Sequence, residues 1–207
     1  MEKKKAPILY RGAFLSLKGA FLILAAVMLA AILVALALID DVRMADKTVK
    51  NIELVTLTDG APVNAEIFRE SKLTVINVWA TYCGPCIREM PEFGEVARAY
   101  ADRGVRFIGI CGDIPYDADG SPNAAQMREA FAIIEQTGAD YLHCMPTQAY
   151  APSLNALVSS AYPGTFLVDA SGNIRKLFVG AVSKDVLISA LEKELPASQG
   201  GGKKAGE

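Results

Sequence analysis

A single histidine, His143, and a single tryptophan, Trp79, stand in a chain of 207 residues. Zinc held by cysteine and histidine needs ligand pairs at suitable spacing. Only Cys83 and Cys86 are paired, while Cys111 and Cys144 stand alone, so a zinc site is disfavoured and no metal is expected. No internal repeat is visible. Residues 1–39 hold five of the basic side chains and one acidic one, so the rest of the chain carries 16 basic against 22 acidic groups, a formal −6. With no basic excess there, nucleic acid is not an expected partner.

Charge is also missing from Gly19 to Ile39, a run of 21 residues rich in Leu, Ala, Ile and Val. As a helix it spans roughly 30 Å, the thickness of the hydrocarbon core. Lys3, Lys4, Lys5, Arg11 and Lys18 precede it, and Asp40 and Asp41 follow. That asymmetry places the N-terminus in the cytoplasm and the remainder outside, in the cell membrane's extracytoplasmic space. A cleaved signal peptide is the alternative, since Ala35-Leu36-Ala37 has a small-x-small form, but the run is longer than a usual apolar signal core. No cysteine follows the run to carry a lipid. The expected organisation is a basic segment at 1–18, a single-pass anchor at 19–39, a tether at 40–50, one domain at 51–195 and a Gly- and Lys-rich disordered tail at 196–207.

Within the domain, residues 51–57 alternate apolar and polar ahead of the Asp59-Gly60 turn, predicting a hairpin extension at an edge. Residues 73–79 alternate too little for a half-wet strand and predict a buried central one. A helix follows from about Gly84 to Tyr100, with Pro85 in its first turn where a missing N–H costs little. A strand at 105–111, a helix at 124–137 ending at Gly138, a short strand at 141–145, a short helix at 152–159, a hairpin across 165–179 and a helix capped by Ser183 complete the pattern.

Cys83-Gly84-Pro85-Cys86 lies where the buried strand feeds the helix. There the unpaired N–H groups and the macrodipole favour a thiolate on the first cysteine, and the second lies one turn on. This is the arrangement of thiol-disulfide exchange, with Cys83 attacking and Cys86 resolving the mixed disulfide.

The order of elements matches the thioredoxin fold: a mixed β-sheet flanked by helices. Over about residues 50–195 the chain resembles the TlpA/ResA-like branch of membrane-anchored extracytoplasmic thioredoxins. The resemblance rests on Asn77-Val-Trp-Ala-Thr-Tyr-Cys-Gly-Pro-Cys-Ile-Arg-Glu-Met-Pro-Glu92 and on Pro163-Gly-Thr-Phe-Leu-Val-Asp169. It implies that Glu89 carries the proton lost by Cys86, because the position that is Asp in cytoplasmic thioredoxins is Asn77 here. It implies a cis bond before Pro163, with the backbone of Tyr162 offered to a substrate; Trp79, Gly84 and Pro85 complete the candidate substrate-binding set. Gly164 departs from the family, which usually has Thr there. The Gly-Pro pair implies a reductant, rereduced by a membrane electron donor that moves reducing equivalents outward. Its clients are exported disulfide-containing proteins, such as apocytochromes in cytochrome c biogenesis, a methionine sulfoxide reductase or a peroxidase. No cofactor beyond the redox-active Cys83–Cys86 disulfide is implied.

By the family's strand order, Cys111 and Cys144 end neighbouring strands. A second disulfide between them is one reading and free buried thiols the other, preferred because adjacent parallel strands offer poor disulfide geometry. His143 beside Cys144 raises a Sco-like copper chaperone as an alternative function, although those proteins space their cysteines by three residues. A peroxiredoxin-like peroxidase is a further alternative, weakened because that nucleophile lacks a partner two residues away.

Overall fold

A computed structural model describes residues 22–33, 48–158 and 161–195. Residues 22–33 form a helix (α1) whose side chains, including Leu22, Leu24, Val27 and Leu33, are all exposed. Among the described residues no helix is long and apolar enough to cross a membrane. The ends of the expected anchor at 19–39, the basic segment at 1–18, most of the tether and the tail at 196–207 lie outside the described residues.

The folded domain is built on a seven-stranded mixed sheet. Its strands are β1 (Glu53–Thr56), β2 (Pro62–Asn64), β3 (Leu73–Trp79), β4 (Val105–Cys111), β5 (Leu142–Pro146), β6 (Gly164–Asp169) and β7 (Ile174–Val179). In space they run β2-β1-β5-β4-β3-β6-β7. All seven residues of β3 are buried, as its lack of alternation requires, with β4 parallel on one side and β6 antiparallel on the other. The β1–β2 hairpin turns at Gly60, which takes a positive φ of 70°. It joins the sheet edge through the antiparallel pairing of β1 with β5. The domain reaches back into the expected tether: Thr48 bridges Asn173, and Val49 is buried with its N–H on the Gly172 carbonyl.

Helix α2 (Gly84–Tyr100) forms the crossover from β3 to β4, and α3 (Ala124–Thr137) that from β4 to β5. α3 stops where the sequence predicts, at Gly138, whose left-handed backbone (φ 63°) returns its N–H to the carbonyls of Ile134 and Glu135. α4 (Ala151–Leu157) precedes β6, and α5 (Lys184–Glu194) ends the described domain. Ser183 occupies the N-cap of α5, but its side chain makes no capping bond. The role passes to α2, where a Glu92 oxygen accepts from the Lys184 N–H at 2.9 Å.

Strand alternation sorts the core into two layers. On one face lie Ile76, Val78, Ile108, Ile110, Cys144, Leu154 and Phe166. On the other, Val75 and Trp79 pack with Cys86, Met90 and Phe93 of α2, with Cys111 and Phe107 of β4, and with Leu187 of α5. Everything in the candidate site is hung from this second layer.

Candidate active site

β3 ends at Trp79, and a turn closed by the Cys83 N–H on the Ala80 carbonyl delivers Cys83 to the N-cap of α2. Cys83 and Cys86 are joined as a disulfide. The Cys86 N–H donates to the Cys83 sulfur at 3.3 Å, so the first-turn donor that would hold a thiolate is already aimed at it. Cys83 keeps 6% exposure against none for Cys86, which makes it the sulfur a partner reaches first.

One turn beyond Cys86, on the same helix face, Glu89 points into the fold at 5% exposure. Its Oε1 accepts from Asn77 Nδ2 and its Oε2 from the Val182 N–H, each at 2.9 Å. Burial pushes the Glu89 carboxyl up from 4.5 to about 7, with Glu92 adding to the rise, against the opposing hydrogen bonds from Val182 and Asn77. Asn77 also donates to Thr165 Oγ1 of β6 at 3.1 Å, which fixes the amide across two strands.

The Tyr162–Pro163 bond is cis. Pro163 is buried and Tyr162 half-buried, its ring edge-on to Tyr82 with centroids 6.3 Å apart. Tyr82 directly precedes the cysteine pair and is 73% exposed. No periodicity or motif marks it as a contact surface, and its pairing with Tyr162 spans a sequence separation that only the fold closes. Gly84 is half-exposed and Pro85 exposed beside it. Gly164, the departure from the family, lies where an added Cβ would stand 3.1 Å from Val158 Cγ1, so the bend after α4 packs tightly against it.

One expectation requires correction. Trp79 belongs to the core and not to a substrate surface: it is fully buried on the α2 face of β3, out of reach of a client. Cys111 and Cys144 are both free thiols. Cys144 pairs with Ile110, so Cys111, one residue on, projects through the opposite face of the sheet. The same alternation places His143 on the face opposite its neighbour Cys144, so the adjacency that raises the Sco-like alternative forms no common ligand set. His143 stacks on Tyr141 with centroids 4.6 Å apart and sets Nε2 2.9 Å from the Ala139 carbonyl oxygen; burial lowers its pKa to about 4. Among the described residues no cluster of three metal-ligating side chains occurs.

A disulfide at a helix start, a buried acid one turn behind it and a cis-proline ahead of β6 make up the site. Residues 44–195 match the Redoxin family. This chain belongs to the Redoxin family. It is 30% identical over 135 residues to "Thiol-disulfide oxidoreductase ResA" of Geobacillus thermodenitrificans, covering 62% of this chain and 70% of that one. It is 28% identical over 162 residues to "Thiol:disulfide interchange protein DsbE" of Allochromatium vinosum, covering 76% and 79%. Among solved structures, a putative DsbE from Chlorobium tepidum superposes with a TM-score of 0.57 at 18% identity, over 72% of this chain and 96% of that one. That likeness shows the thioredoxin-like fold. As a Redoxin member with relatives so named, the chain is an enzyme, a thiol-disulfide oxidoreductase.

Proposed function

We propose that this Redoxin member is a reductant held at the extracytoplasmic face of the membrane by residues 19–39, where it reduces disulfides in exported proteins through Cys83 and Cys86. The observation that carries the reading is the disulfide at the α2 N-terminus, with the Cys86 N–H on the Cys83 sulfur and Glu89 buried one turn behind. In the dithiol form, the Cys83 thiolate attacks one sulfur of the client disulfide, forming a mixed disulfide and releasing the other sulfur as a thiolate. Cys86 then gives its proton to the Glu89 carboxylate and attacks the Cys83 sulfur. The client leaves with two electrons more, and the Cys83–Cys86 disulfide re-forms.

Glu89 suits the proton's part because its carboxyl titrates near neutral pH, where it can both take and return a proton. Tyr82, Tyr162 and Pro85 present the surface beside the pair, and the backbone of Tyr162 offers a client strand its hydrogen-bonding edge. Return of electrons requires a dithiol donor in the membrane. The exposed apolar helix at 22–33, inside the longer uncharged run, supports the anchor, and the thiol-disulfide oxidoreductase and interchange names of the relatives support the disulfide chemistry.

The test is a redox titration of the domain followed by emission of Trp79, which packs in the same buried cluster as Cys83 and Cys86. A reductant gives a potential nearer about −270 mV than the roughly −120 mV of a strong oxidant. A value at the oxidising end reverses the assigned direction.

A further inference from the structure

Beyond the cysteines, β4 runs out through Cys111 and Gly112 to Asp113, whose carboxylate meets the turn that feeds Cys83. Asp113 Oδ2 accepts from the Thr81 N–H at 3.0 Å, from Thr81 Oγ1 at 2.7 Å and from Gln126 Nε2 at 3.0 Å. Its Oδ1 accepts from Cys111 Sγ at 3.1 Å. Gln126 donates to Thr81 Oγ1 as well. The turn after β3, the end of β4 and the first turn of α3 therefore converge on one carboxylate.

Two consequences follow from the partners. Thr81, 5% exposed and two residues before Cys83, has left the β3 ladder and finds its acceptor in Asp113. Second, none of the ion pairs among the described residues reaches Asp113, so hydrogen bonds alone hold its charge. The titratable groups facing it are the Cys111 thiol and Tyr162, whose hydroxyl lies 2.5 Å from where a Cβ on Gly112 would stand. Cys111 stays a neutral donor: burial first, then the Asp113 charge, with a smaller part from Glu129, drive its pKa up. Tyr162 is pushed up to about 12 by burial, then by Tyr82, Asp113 and Cys111. The field of Asp113 thus extends to the aromatic pair beside the dithiol.

We propose that Asp113 is a positioning residue for the dithiol: its carboxylate pins the Thr81 turn ahead of Cys83, and its charge disfavours a Cys83 thiolate, biasing the pair toward the disulfide. This rests on the thiol-disulfide reading above and sets the strength of the reductant. The relevant equilibrium is dithiol plus glutathione disulfide giving protein disulfide plus two glutathione thiols. A group that destabilises the thiolate of the reduced protein drives it to the right.

The experiment measures that equilibrium constant, and the Cys83 pKa by the ultraviolet absorbance of the thiolate, in the parent, Asp113→Asn and Gln126→Lys. Asp113→Asn removes the charge and keeps an acceptor for Thr81. Gln126→Lys, at a half-exposed position, leaves the carboxylate in place and neutralises its field, and it decides the matter if the first variant does not fold. Both variants are expected to lower the Cys83 pKa by about one unit and to shift the constant about tenfold toward the dithiol, which is about 30 mV. Parent-like values in a folded variant overturn the proposal. A parent with no reversible Cys83–Cys86 couple overturns instead the oxidoreductase reading on which it stands.

Discussion

Glu89 Oε1 accepts a hydrogen bond from Asn77 Nδ2 at 2.9 Å, joining a helix acid to a buried strand amide. The resemblance treats the two positions as alternatives, one titrating in cytoplasmic thioredoxins and the other here. The fold makes them partners. The strand supplies an immobile amide tied to Thr165, and the helix supplies, one turn from Cys86, the acid proposed above as proton carrier.

Replacing Glu89 by Gln keeps the shape and removes the proton acceptor. The rate at which the dithiol resolves a mixed disulfide is expected to fall about 100-fold at neutral pH. In the parent that rate rises through about pH 7 as the carboxyl ionises, and this limb disappears in the variant. Stopped-flow Trp79 fluorescence from pH 5.5 to 8.5 reads both effects; a limb that survives unchanged removes Glu89 from proton transfer.

Stability of the oxidised domain carries the same signature. An acid whose pKa rises on folding, here from 4.5 to about 7, stabilises the fold fully below the lower value and loses that contribution as pH passes through the upper one. Between pH 5 and 8 Glu89 loses about 2.5 kcal/mol, while the buried His143, lowered from 6.5 to about 4, gains about 2 over the same window, so the parent changes little. For Glu89→Gln only the His143 contribution remains, so stability rises by about 2 kcal/mol across that window, although the variant starts lower, because a Gln amide cannot accept from both Asn77 and Val182. Urea midpoints at the two pH values make the comparison, and a variant whose pH dependence equals the parent's contradicts it.

Cys86→Ser leaves Cys83 able to attack and unable to be released. The variant is expected to accumulate a mixed disulfide with its client, while Cys83→Ser accumulates none. Non-reducing electrophoresis followed by mass spectrometry of the trapped species identifies the client, and equal trapping by both variants would show that the order of attack is wrong.

Gly109 pairs with His143 across β4 and β5, and a Cβ there would stand 2.4 Å from His143 Nδ1. The imidazole has no retreat, being stacked on Tyr141 and edge-on to Trp79. Gly109→Ala should cost about 1–3 kcal/mol. Adding His143→Ala removes the clash, so the double variant is more stable than the two single losses summed; thermal unfolding of the four proteins gives the coupling.

What the sequence discloses and what it hides divide along one physical line. β3, the end of α3 at Gly138 and the β6–β7 hairpin are legible because burial periodicity and turn chemistry act within a few residues. The Cys pair is legible because its reactivity depends on a single strand-to-helix step. Val182 on Glu89, Asp113 on Thr81 and Tyr82 against Tyr162 are contacts of long separation, and no local pattern encodes them. Trp79 misleads for a related reason: closeness to Cys83 along the chain says nothing about which face of β3 it occupies. The fate of Cys111 and Cys144 turns on a one-residue register offset, visible only once Ile110 is seen opposite Cys144.

That offset turns the sheet into a partition. Four cysteines allow three pairings when all are joined. In the folded domain Cys111 and Cys144 are walled into separate layers with a pleated backbone between them, and Cys83 and Cys86 meet at the rim. The architecture is a safeguard against one miswiring: once the sheet has formed, no oxidant arriving from outside can close a bond between Cys111 and Cys144 across it.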